Sequence, residues 1–380
     1  MSLKVRPIAI YLPQFHPIPE NDTWWGKGFT EWTNVVKGAP RFKGHYQPHL
    51  PADLGFYDLR LPEVRQAQAD LAATYGIYGF CYYHYWFNGR RILEKPFQSV
   101  IDSGKPDFPF MLCWANENWT RIWDGGENKV LLRQEYSHED DVAHINSLIP
   151  YFKDPRYIRV EDKPVFAIYK DSLFPNVKET VNTFRAECKK HGFDLYLCKF
   201  ERSMDSAVGN PESLGFDASI EFQPLSASWR EYTNHNQTKV KYLDWKRYPS
   251  QFNKHILGRK VIKDKITDLK DFVEFDIKRQ TPNYKLFPGV SPGFDNSCRR
   301  IGSQAMIFKN GSPEVFRNWV KSKIERFTPY GNGENFLFIN AWNEWAEGNH
   351  LEPCVKYGHQ YLEALKGALS EASSDDKKRG

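Results

Sequence analysis

The feature that most constrains this chain is a rhythm: short apolar runs rich in β-branched and aromatic residues return about eight times, with helix-patterned segments between them. The runs are Ile8–Leu12, Gly79–Tyr83, Phe110–Trp114, Val165–Tyr169, Leu195–Lys199, Ala218–Phe222, Leu286–Ser291 and Phe336–Asn340. Strands that succeed one another in parallel need a crossover of a dozen or more residues, usually a helix, so the alternation predicts βα units around a parallel sheet. Four crossovers read clearly as helices. Leu61–Leu71 carries Pro62 at an early helical position and ends near Gly76. His138–Ile149 opens on Glu139, Asp140 and Asp141, where the positive end of a helix dipole favours acids. Val177–Lys190 and Pro313–Arg326 have the same periodicity. Eight alternations predict a single (β/α)8 TIM barrel rather than an open doubly wound sheet, because the count matches and no Gly-rich dinucleotide turn comes after the first strand.

Such barrels with elaborated loops reach 380 residues as one domain, so length does not divide the chain. One catalytic barrel is expected over residues 1–370. A basic, aromatic insertion is expected at about 228–285, either roofing the barrel mouth or merely solvated, and residues 371–380 are too polar to pack and should be disordered.

With a formal charge of +5 and scattered Lys and Arg, no nucleic-acid partner is expected. No apolar run approaches the ~18 residues of a membrane span, so no membrane insertion is expected. Met1 leads directly into the first strand without the apolar region of a signal peptide, which points to the cytoplasm. The six cysteines lack CxxC spacing and read as reduced core thiols, so neither a metal nor a cofactor is expected.

Barrel active sites form where strands end, which directs attention to the residues after each run. Gln14 and His16 come after the first; His84, Tyr85, Trp86 and Asn88 after the second. Trp114 closes the third, and Asn116, Glu117, Asn118, Trp119, Trp123 and Asp124 come after it. Glu221 ends the sixth, with Gln223 and Trp229 beyond it; Asp295 and Asn296 lie past the seventh; Asn343, Glu344, Trp345 and Glu347 lie past the eighth. Repeated indoles, amides and carboxylates suit a sugar, whose CH face stacks on aromatic rings while its hydroxyls need paired donors and acceptors. The candidate glycan-binding set is therefore His16, His84, Tyr85, Trp86, Trp114, Asn116, Glu117, Trp119, Trp123, Glu221, Gln223, Asn343 and Trp345. Strand-end capping explains any one cluster and explains all of them poorly.

Glycoside hydrolysis commonly uses two carboxyl groups, one protonated and one ionised. Glu344 and Glu347, bracketed by Trp342 and Trp345, are the candidate pair; partial desolvation there raises at least one pKa. Glu117, in an Asn-Glu pair after a strand, is a competing acid, and Glu352 before Pro353 reads as a chain bend.

Five motifs carry a resemblance: Ala9-Ile-Tyr-Leu-Pro-Gln-Phe-His-Pro17, Trp25-Gly-Lys-Gly-Phe-Thr-Glu-Trp32, Gly79-Phe-Cys-Tyr-Tyr-His-Tyr-Trp86, Cys113-Trp-Ala-Asn-Glu-Asn-Trp-Thr120 and Asn343-Glu-Trp-Ala-Glu-Gly348. Together they resemble the WbsX-like family, associated with lipopolysaccharide O-antigen and other surface-glycan clusters and labelled glycosyltransferase. That family is similar to the retaining endo-α-mannosidases, which close on Asn-Glu-Trp-x-Glu-Gly and a later Glu-Pro, here Asn343 to Gly348 and Glu352-Pro353. The resemblance implies that Glu344 is the base that deprotonates a sugar 2-hydroxyl, giving a 1,2-anhydro sugar, and Glu347 the general acid. It also implies substrates with O2 trans to the leaving group, α-mannosides or α-rhamnosides. Two other functions stay open: a polysaccharide glycosyltransferase, although the chain contains no Asp-x-Asp, and a non-catalytic glycan-binding barrel.

Overall fold

The computed structural model describes residues 4–121, 126–203, 209–235, 264–300 and 304–379. Eight parallel strands form a ring: β1 (Arg6–Tyr11), β2 (Gly79–Phe87), β3 (Phe110–Trp114), β4 (Lys163–Ile168), β5 (Tyr196–Glu201), β6 (Ala218–Glu221), β7 (Leu286–Phe287 and Gly289–Val290) and β8 (Phe336–Ile339). Each of β1 to β5 pairs with the next strand in sequence, and β8 returns to β1 with Ile8 beside Phe338.

Closure depends on β7. Its first half pairs with β6 (Ile220 beside Phe287) and its second half with β8 (Val290 beside Ile339). Pro288 sits between the halves; it has no N–H to give a ladder, while its carbonyl accepts from the Phe338 amide at 2.9 Å. Gly289 is next, and its amide donates to the Glu221 carboxylate at 3.1 Å.

Helices α1 (Pro19–Trp25) and α2 (Glu31–Val35) lie in the long connection after β1, ahead of the crossover α3 (Pro62–Thr74). The next crossovers are α4 (Lys95–Ser103), α5 (His138–Phe152) and α6 (Val177–Lys190). Between β5 and β6 the described residues hold only a 3-10 turn, Pro211–Leu214. α7 (Ala227–His235) and α8 (Leu269–Asp276) connect β6 to β7, α9 (Pro313–Arg326) connects β7 to β8, and α10 (Gln360–Arg379) comes last. Residues 236–263, the centre of the expected insertion, and Trp123 lie outside the described residues. α10 runs through the stretch expected to be disordered, as far as Arg379. Caps match the sequence signals: Ser137 accepts from the Asp140 amide at the start of α5, and Ser312 from Val315 at the start of α9, with Pro313 in its first turn.

Alternation along the strands divides the core into two layers. Inside the ring, Phe200 packs 5.5 Å from Phe222 and 6.3 Å from Phe338, while Tyr169 meets Phe222 at 5.3 Å and Tyr83 at 5.8 Å between ring centroids. Outside it, Trp114 and Phe166 pack against α5 and α6 through His144 and Phe184. All six cysteines are buried and none is in a disulfide. No described helix is long and apolar enough to cross a membrane.

A Cβ on Gly289 would collide with the Glu221 carbonyl, which belongs to the backbone and cannot swing away. Gly289→Ala is therefore expected to lose stability by about 1–3 kcal/mol or more by overpacking. Thermal unfolding checks this, and an unchanged Tm would show that β7 is not tightly held against β6.

Candidate active site

The loop that carries the paired carboxylates is built from the end of β8. Trp342 donates its amide to Ile10, and Asn343 grips the backbone of Leu12 twice, accepting from its amide at 2.7 Å and donating to its carbonyl at 3.0 Å. Asn343–Glu344 then pairs antiparallel with Asn349–His350 around a 3-10 turn, Trp345–Glu347, that ends on Gly348 in the left-handed region at φ +57°. From behind, the buried Glu352 accepts from Trp345 Nε1 at 2.6 Å, Gln68 Nε2 at 2.6 Å and Tyr57 Oη at 2.8 Å. Burial pushes its carboxyl up to about 7 despite these donors. Glu352 is thus a buried anchor of the loop, a stronger role than the bend its Pro neighbour suggested.

At the barrel mouth Glu344 and Glu347 face a cavity of about 250 Å³. Tyr83, Tyr169 and Phe222 line it as well, and these are the top rings of the inner aromatic layer. Tyr85 and Trp119 form another wall, edge to face at 5.3 Å. Glu117 also lines the cavity, paired with Lys170 at 3.1 Å and Arg202 at 3.4 Å. Burial holds the phenols of Tyr83 and Tyr85 well above their ordinary range, so they stay neutral hydrogen-bond donors.

Arg299 organises the carboxylates. It is carried on a short 3-10 turn after β7. Its Nη1 lies 2.6 Å from Glu347, its Nη2 2.9 Å from Glu344, and its Nε 2.7 Å from the fully buried Glu31 at the start of α2. One cation among three carboxylates leaves excess negative charge in a buried place, which favours retention of a proton. Burial pushes the Glu344 carboxyl up to about 8; Arg299 opposes the shift, and the charges of Glu347 and Glu31 add to it. Burial likewise raises Glu31.

The remaining candidates occupy other places. His84 and Trp86 alternate with Tyr83 and Tyr85 and so face α5, where His84 Nε2 meets His144 Nε2 at 2.9 Å and Trp86 Nε1 donates to Asp140. Trp114 lies in the same outer layer. His16 is buried with Nδ1 3.0 Å from the Pro13 carbonyl. Asn116 ties its loop to Lys170, donating to its carbonyl at 2.8 Å and accepting from its amide at 2.9 Å. Glu221 faces outward to Lys323 at 2.7 Å, and Gln223 donates to Ser228 and Asp276. Asn343 and Trp345 hold the loop, Trp345 stacking on His350 at 3.7 Å. Sequence reading missed Arg299 and Glu31. Glu31 lies inside the Trp25–Trp32 motif, but nothing local marks Arg299 as the partner of residues 45 and 48 positions later.

The sequence matches the family described as Glycosyltransferase WbsX over residues 7–365. This chain belongs to the WbsX family. Two curated relatives, each called Uncharacterized protein WxcX and coming from Xanthomonas campestris pv. campestris strains ATCC 33913 and B100, are 40% identical over 376 residues, 98% of this chain and 50% of theirs. The WbsX chain thus spans about half the length of the curated relatives it matches. Among solved structures, the GH99 endo-alpha-mannosidase from Bacteroides thetaiotaomicron in complex with bis-tris propane superposes with a TM-score of 0.58 at 15% identity, over 99% of this chain and 100% of that one. A glycoside hydrolase-like protein gives 0.56 at 14%, over 97% and 94%. At these identities the likeness establishes a shared barrel fold.

The raised Glu344 carboxyl has a stability consequence with a definite sign. The folded state holds this proton more tightly than the unfolded chain, whose glutamates titrate near 4.5, so stability is intact below that pH and falls as pH rises towards 8. Glu344→Gln removes the penalty. Its Tm relative to the parent is expected to increase between pH 5 and pH 8; a difference that shrinks over that range would contradict the assignment.

Proposed function

We propose that this chain is a retaining glycoside hydrolase or transglycosylase acting on α-linked manno- or rhamno-configured glycans. The observation that carries the reading is the pair Glu344 and Glu347, bridged by one half-buried guanidinium and facing an aromatic-walled cavity at the barrel mouth. The aromatic walls suit the CH faces of sugar rings, and the family's description and the barrel shared with a mannosidase are in keeping with a carbohydrate substrate.

In the first step the Glu344 carboxylate takes the proton of the sugar 2-hydroxyl and O2 bonds to the anomeric carbon. The glycosidic bond breaks as Glu347 gives its proton to the departing oxygen, leaving a 1,2-anhydro sugar. In the second step the Glu347 carboxylate takes a proton from water, or from an acceptor hydroxyl, whose oxygen bonds to the anomeric carbon. The C1–O2 bond then opens and O2 recovers its proton from Glu344. Two inversions give net retention. A carboxyl at about 8 makes Glu344 a stronger base than an ordinary glutamate once ionised, and Arg299, touching both groups, fixes their orientation through the exchange of roles.

The test is product release from α-mannan, α-rhamnan and O-antigen polysaccharides by the parent, Glu344→Gln and Glu347→Gln. Each variant is expected to lose about 10²–10⁴-fold in turnover. The chemistry needs one proton on the pair, so the parent rate should fall as pH rises past 8 and that proton is lost. Undiminished release by both variants would remove the pair from the chemistry. The family's description as a glycosyltransferase favours a second reading, surface-polysaccharide synthesis. A sugar nucleotide consumed only when an acceptor glycan is present would replace the hydrolase reading with that one.

A further inference from the structure

A second cavity, about 530 Å³ and so larger than the first, opens behind the hairpin that carries Glu344. Its walls come from the connection after β1, the loop after β7, residues 307–311 and the chain around the start of α10. Three lysines line it, Lys43, Lys309 and Lys356, and all are exposed. The Lys356 ammonium is held over two rings, 4.5 Å from the Tyr46 centroid and 4.6 Å from that of Tyr357. The acid in this lining is Asp295, which already accepts from Gln47 at 2.7 Å and from the Ser297 amide at 2.9 Å, with His45 Nε2 at 2.6 Å. Three exposed lysines therefore line a space whose carboxylate is already engaged. Such a lining favours an anion.

The same cavity touches the chemistry. Gly348, next to Glu347, forms part of its lining, and the Asp295 amide donates to the Glu347 carbonyl. A Cβ at Gly348 would stand 3.1 Å from Asp295 Cβ and 3.4 Å from His49 Cε1, so the hairpin backbone is packed directly against this wall. His49 Nδ1 lies 3.0 Å from His350 Nε2, and His350 stacks on Trp345 within the hairpin.

We propose that this cavity is a second ligand site that takes an oxyanion carried on a sugar, with Lys43, Lys309 and Lys356 receiving the charge. The sugar rests on the carbohydrate reading above; the charge rests on the lining alone. The oxyanion is either the carboxylate of an acidic residue in the glycan or the phosphate of a sugar phosphate. Calorimetric titration of the full chain with trigalacturonate, with inorganic pyrophosphate and with neutral mannotriose distinguishes them. At least one charged probe should bind, about tenfold more weakly when salt is raised to shorten the Debye length, as expected for exposed ammonium groups. Lys309→Glu, and Lys309→Glu combined with Lys356→Glu, alter exposed side chains and should weaken that binding by about tenfold or more through like-charge repulsion. Glu347→Gln should leave it intact, so a failed hydrolase reading does not remove the site. Trigalacturonate alone binding identifies an acidic sugar residue, and pyrophosphate alone a phosphate. Binding of neither, or binding indifferent to both lysine variants, would overturn the proposal.

Discussion

The arrangement turns on one guanidinium. Arg299 is shared by Glu31, from the connection after the first strand, and by Glu344 and Glu347, from the loop after the last; without it the three would repel one another. Carboxylates left unpaired in a buried place cost about 3–5 kcal/mol when a partner is removed, so the cation is a condition for the site to exist at all. It does not neutralise the cluster. The burial and the surplus negative charge raise the Glu344 carboxyl, so the cluster retains a proton.

Everything around Arg299 serves to hold three loops in register. Asn343 fastens the carboxylate loop to the end of β1, Glu352 anchors it from behind, and Asp295 joins it to the turn that carries Arg299. The ring beneath is completed by β7, whose two halves face different neighbours. If β7 moved, Arg299 would move with it. The split strand with its Pro288 and Gly289 is therefore part of the site's geometry as well as of the fold.

Much of the fold was legible because hydrophobic period is a local signal. Phe110–Trp114, Val177–Lys190 and Pro313–Arg326 occur with the bounds their patterns suggest. Among its described residues the fifth crossover holds a 3-10 turn, Pro211–Leu214, which no helical period announces. The same periodicity explains the distribution of the rim candidates. His84, Trp86 and Trp114 sit at strand ends, but each lies on the face turned to the helices, while their neighbours Tyr83, Tyr85 and Ala115 line the cavity. Position at a strand end places a residue on the rim; only the phase of the alternation says whether its side chain looks inward.

By itself the sequence determined the barrel and the family and offered the candidate carboxylates, because each is written in contiguous residues: a repeated apolar run, a long motif, an Asn-Glu-Trp-Ala-Glu-Gly segment. Tertiary structure decided the partners. Arg299 meets Glu31 across 268 residues of chain and Glu344 across 45, and no local pattern encodes a contact formed by the closing of a ring. Burial too is a property of the assembled molecule. The carboxyl of Glu344 is raised, and Glu352, at the bend its Pro neighbour suggested, is an anchor as well, because the barrel has surrounded them.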